Sequence, residues 1–125
     1  FVEEIPWDQV VEDVYESKID NITKEVTGEY KKLYKCKEYA NYLEKSLKKA
    51  EVEGQRVTIK SKTGYIYSDK FGGNISTNGL HEAIRIGDKI YDNMTPNGIE
   101  YNAWLDDLGI TDFPWEFEIT TNLIK

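Results

Sequence analysis

The chain has 125 residues, 39% hydrophobic and 13% aromatic, and its 23 acids against 16 Lys and Arg give a formal net charge of −7. That length suits one domain with a real core, and the 3 Trp, 9 Tyr and 4 Phe supply large side chains to fill it. The acidic balance argues against nucleic acid as a partner, and no apolar run approaches the roughly 18 residues of a membrane span, so no stable membrane association is expected. The chain opens on Phe1-Val2-Glu3-Glu4 without an initiator Met, which predicts a piece excised from something longer.

In chain order, Ile5-Pro6-Trp7-Asp8 reads as a helix entry with Asp8 as N-cap, followed by Val10, Val11, Val14, Tyr15, Ile19 and Ile22 at helical spacing to about residue 26. After a break at Gly28, a second helix is predicted from about Glu29 to Ala50. Its stripe Cys36, Ala40, Leu43, Leu47, Ala50 shares one face and aims Cys36 at the interior. Past Gly54 the period shortens: residues 56–60 and 64–68 alternate and are rich in β-branched and aromatic residues, which predicts strands. Residues 69–79 read as loop. A hairpin over 81–94 turns at Gly87-Asp88, and Thr95-Pro96-Asn97-Gly98 forms a turn. Asn102 caps a short helix over 103–108 that stops at Gly109, and 119–121 reads as an edge strand. Helices first and antiparallel strands later make an α+β arrangement.

The chain has one Cys, Cys36, and one His, His81. A lone Cys and a lone His, with a carboxylate near the latter, are a candidate nucleophile, base and orienting group. A free thiol with a pKa of about 8.5 is only a few per cent ionised at neutral pH, so it needs an imidazole to take its proton, and an acceptor on the second ring nitrogen to fix the tautomer. With Gly87-Asp88 as a two-residue turn, Ile86 pairs with Lys89, Ile84 with Tyr91 and Ala83 with Asp92. Alternation then puts His81, Ala83, Ile90 and Asp92 on one face and Glu82, Ile84, Tyr91 and Asn93 on the other. Asp92 is the orienting group in this register; a slip by one residue would substitute Asn93. Tyr34 and Lys35 are poor helix caps, so a catalytic Cys36 requires a break or kink just before it. The lysines at 31, 32, 35, 37, 45, 48 and 49 form either a solvated helix face or a basic rim that lowers the thiol pKa. One Cys permits no internal disulfide, and the acids near Cys36 and His81 lack metal-ligand spacing, so neither a metal nor a cofactor is expected.

The residues Tyr34-Lys35-Cys36-Lys37-Glu38-Tyr39-Ala40, Ser68-Asp69, Gly72-Gly73, Asn78-Gly79-Leu80-His81, the run from Ile90 to Ile99, and Trp104 together resemble the papain-fold toxin domains at the C-termini of bacterial polymorphic toxins. The resemblance covers about residues 33–108, leaving 1–32 as an N-terminal helical segment and 110–125 as a tail packed on the same domain. It implies a papain-like fold, with the Cys36 helix packed on an antiparallel sheet, and Cys36, His81 and Asp92 as nucleophile, base and third member, with Asn93 as fallback. It further implies a cysteine hydrolase acting on a protein substrate in a target-cell cytoplasm, as a peptidase, a Gln/Asn deamidase or a transglutaminase-like enzyme. The parent protein would be secreted or displayed at the cell surface, as in contact-dependent growth inhibition, and a cognate immunity protein would neutralise the domain. The alternatives are a non-catalytic binding module with Cys36 as core, and a nuclease toxin on the same fold.

Overall fold

The computed structural model describes residues 17–76 and 78–124. Helix α1 is described over 17–25; its predicted N-cap Asp8 and the apolar positions from Val10 to Tyr15 lie outside the described residues. A 3₁₀ turn, Gly28–Lys31, follows, and then helix α2, Cys36–Lys49. The strands are β1 (Gly54–Ser61), β2 (Ile66–Ser68), β3 (Gly73–Ser76), β4 (Leu80–Ile86), β5 (Lys89–Tyr91), β6 (Ile99–Glu100) and β7 (Phe117–Ile124), with helix α3 (Tyr101–Asp107) between β6 and β7.

Five strands form an antiparallel sheet in the order β6-β5-β4-β1-β7, and β2 pairs with β3 as a separate ribbon. β4 is central, and β1 beside it is flanked along its length by β4 and β7. Alternation on β4 and β5 sends their apolar residues to opposite faces, and each face has its own core. On one face Ile84 and Tyr91 pack with Tyr39, Ala40, Leu43 and Leu47 of α2 and with Ile19, Ile22 and Val26 of the first helical region. On the other, Val57, Ile59, Ala83 and Ile90 pack against Trp104 and Leu108 and against Ile66 and Ile75 of the ribbon. The chain is α+β, with the α2 helix on an antiparallel sheet.

Several expectations are corrected. The single helix over 29–50 is two pieces, because Tyr34 adopts φ +67 and the helix restarts at Cys36. Cys36 is half-buried at the end of the apolar stripe rather than part of the core, and Tyr39 takes the fully buried place in that turn. The segment read as loop contains β3, whose Gly73 and Asn74 mask a strand that buries Ile75 and Ser76. Asn102 lies inside α3, whose N-cap is Glu100 without a side-chain cap. The hairpin register is the expected one, with Ile86 opposite Lys89 and Ile84 opposite Tyr91. The ladder stops there, so Asp92 is not paired with Ala83.

Candidate active site

The short reach of β5 shapes the site. In the two-residue hairpin Ile86 and Ile84 direct their main-chain groups toward β5, and by alternation Glu82 and Leu80 point the same way, past the end of that strand. The start of β4 therefore has an open edge, and the N-terminus of α2 lies against it. The main chain of Glu82 and the imidazole of His81 both lie near enough to the Cys36 thiol to shift its acidity. Cys36 comes from the α2 layer, whereas the His81 ring stacks near Trp104 of α3, with ring centroids 6.2 Å apart.

Local backbone geometry brings the thiol to a helix terminus. Lys35 N–H bonds the carbonyl of Lys32, closing a turn, and Tyr34 in the left-handed region reverses the chain so that the first helical bond runs from Tyr39 N–H to the Lys35 carbonyl. A non-glycine residue in that region costs roughly 1–3 kcal/mol, a cost met by packing elsewhere. Lys35 offers no side-chain acceptor, so the N–H groups of the first turn remain uncapped beside Cys36.

His81 is fully buried. Its Nε2 lies 2.8 Å from Asp92 Oδ2. Asp92 is almost entirely buried and receives five donors: His81 and the Trp104 indole N–H at 3.1 Å on Oδ2, and Met94 N–H, Thr95 N–H and Thr95 Oγ1 at 3.0, 2.7 and 2.7 Å on Oδ1. Burial alone would push the carboxyl pKa up, but the His81 bond and charge, with Thr95 and Trp104, outweigh it and hold Asp92 ionised. A carboxylate only accepts, so Nε2 carries the hydrogen, and the imidazole turns Nδ1 to the thiol. Nδ1 is buried with no closed hydrogen bond, which leaves room for the contact to tighten around a substrate.

The two groups shift each other. Burial disfavours the thiolate, yet the facing imidazole of His81 and the Glu82 main chain outweigh that and lower the Cys36 pKa. Burial likewise disfavours the imidazolium, but the Asp92 and Cys36 contacts outweigh it and raise the His81 pKa. The leading causes of the thiol's shift are thus an imidazole and a peptide group, rather than a rim of lysines. This arrangement favours proton transfer from the thiol to the imidazole.

Asn93, the fallback third member, faces away: its side-chain amide donates to the Lys32 carbonyl at 2.7 Å, tying the end of β5 to the turn that precedes Cys36. Sequence reasoning missed the donors around Asp92. The signal for Thr95 is its place three residues after an Asp in a turn; nothing local marks the Trp104 indole.

No curated protein and no solved structure matches the chain. The match to the family model reaches back beyond the motif-bearing core to include the described part of α1. Over residues 17–109 the sequence fits the model of papain fold toxin 2, and the chain belongs to that family.

Proposed function

We propose that this domain is a cysteine hydrolase of amide bonds, with Cys36 as nucleophile, His81 as general base and acid, and Asp92 as the group that orients and charges His81. The observation that carries the reading is a half-buried thiol at the start of a helix beside a buried imidazole whose other nitrogen is held by a buried carboxylate. The thiolate attacks the carbonyl carbon, and the imidazolium protonates the departing amine. His81 then takes a proton from the water that attacks the thioester and releases the acid. Peptide cleavage and Gln or Asn deamidation share this first step; transfer to an amine in place of water would be transglutamination. Membership of a toxin family supports a role as an effector delivered from a secreted or cell-surface parent into a target cytoplasm, with a protein substrate and a cognate immunity protein.

The test compares wild type with Cys36→Ala expressed inside cells, alongside mass spectrometry of the cell's proteins. Toxicity is expected to vanish in a folded Cys36→Ala protein, with a chemical activity loss of at least about 10³-fold. New termini in the wild-type sample identify a peptidase, and a one-dalton gain a deamidase. Toxicity that survives in Cys36→Ala returns the thiol to a packing role; nucleic-acid breakdown that survives thiol alkylation identifies a nuclease.

A further inference from the structure

The cleft at Cys36, about 250 Å³, is lined also by Tyr34, Lys37, Glu38, Ser76, Asn78 and Glu82. A tetrahedral intermediate built on the sulfur places a negative oxygen in this cleft, and the Cys36 main-chain N–H at the helix terminus supplies one donor for it. A second is needed. Glu38 and Glu82 are acceptors when ionised. The single Ser76 hydroxyl proton is shared between the Leu80 carbonyl at 2.7 Å and Asn78 Oδ1 at 2.9 Å.

Asn78 is differently placed. Its Oδ1 also accepts from the Leu80 main-chain N–H at 3.1 Å. A peptide N–H can only donate, so the atom facing it must be the amide oxygen, and Nδ2 points the other way with no partner among the described residues. The platform beneath is stiff. Gly79 has φ +77, its carbonyl accepts from Ser61 N–H at 2.7 Å, and a Cβ there would lie 3.0 Å from Gly64 Cα. The β3–β4 turn is thereby clamped against the β1–β2 connection, and the amide is held in advance of reaction.

We propose that Asn78 is a catalytic residue of the Cys36 site, its side-chain amide donating, together with the Cys36 main-chain N–H, to the oxyanion formed in acyl transfer. The inference rests on the cysteine-hydrolase reading above. In the step concerned, the S–C bond forms as the carbonyl π pair moves onto oxygen, where both N–H groups receive it. The pair returns to re-form C=O as the C–N bond breaks, and the amine leaves with the proton from His81 Nδ1.

Two reactions of the same thiol separate this role from a structural one. Alkylation by iodoacetamide develops no oxyanion, whereas acylation by p-nitrophenyl acetate does. Asn78→Ala is expected to acylate on the order of 10²–10³-fold more slowly than wild type while its alkylation rate and thiol pKa stay unchanged. Asn78→Asp keeps an acceptor for the Leu80 N–H and the Ser76 hydroxyl, and so keeps the turn, but carries no N–H; it is expected to lose acylation to a similar degree after correction for its alkylation rate. Acylation in either variant at the wild-type rate removes Asn78 from catalysis and leaves Cys36 its role. Equal loss of alkylation and acylation in both variants assigns Asn78 to the fold instead. A wild-type thiol that alkylates but never acylates overturns the hydrolase reading itself, and Asn78's role with it.

Discussion

The two ends of α2 are built for opposite purposes. At its C-terminus the chain closes in a Schellman motif: Val52 N–H bonds the Leu47 carbonyl, Glu51 N–H bonds the Lys48 carbonyl, and buried Val52 lies on buried Leu47. Lys48 and Lys49 lie in the last turn, where cations suit the helix dipole. At its N-terminus nothing closes. Lys35 gives no side-chain cap, Tyr34 is strained, and the uncapped first turn begins at Cys36. One end is capped, and the other is left open, which on the proposed reading favours an anion on sulfur.

The contrast can be broken most severely at Asp92. Asp92→Asn is expected to lower acyl transfer by roughly 10³–10⁴-fold, because the imidazolium loses its counter-charge and the wrong tautomer is favoured. It is also expected to cost about 2–4 kcal/mol in urea unfolding, as a buried network loses its central acceptor. The pH dependence has a definite sign. The His81 pKa lies above its ordinary 6.5, so its stabilisation is complete below that value and is lost as pH rises through the folded pKa. The Asp92 pKa lies below its ordinary 3.8, so its contribution is present above that value and is lost as pH falls through the folded pKa. Wild type therefore has a stability plateau between these limits, and Asp92→Asn flattens both shoulders; unchanged shoulders would mean that the pair is not coupled.

A milder change would make the two ends of the helix alike. Lys35→Asp supplies the missing acceptor and is expected to stabilise the fold by about 0.5 kcal/mol. The same carboxylate beside Cys36 raises the thiol pKa, so iodoacetamide alkylation at pH 7 slows several-fold. Faster alkylation would show that capping and thiolate stability do not compete. The smallest effect is expected at the other end. Glu51 has φ +57 at the position where glycine carries no penalty, and Glu51→Gly should add about 0.5–1 kcal/mol by thermal or urea unfolding with no change in thiol reactivity.

Much of the site is legible in the sequence. The hairpin register follows from Gly87-Asp88 as a two-residue turn, and register alone favours Asp92 over Asn93 as the partner of His81. The break before Cys36 is expected of a catalytic cysteine rather than from propensity, and the left-handed Tyr34 provides one. What a linear reading misses is tertiary. Gly73-Asn74-Ile75-Ser76 has weak strand propensity and becomes β3 because pairing with β2 buries Ile75. The Trp104 indole is a large apolar residue to any periodicity argument, and its bond to Asp92 exists only because α3 packs over the sheet. Asn78 reads as generic turn chemistry until Leu80 and Ser76 fix which way its amide points.

The thiol comes from the helix on one face of the sheet and the imidazole from strand β4 itself, and they meet around the open margin that β5 leaves beside β4. On the proposed reading, neither helix nor sheet alone can pair the thiol with its base. A chain with its secondary structure formed but the helix undocked keeps only the reactivity of an ordinary free thiol, and reactivity above that level reports complete assembly. On that reading, passage through an unfolded state would suspend acyl transfer until helix and sheet dock again.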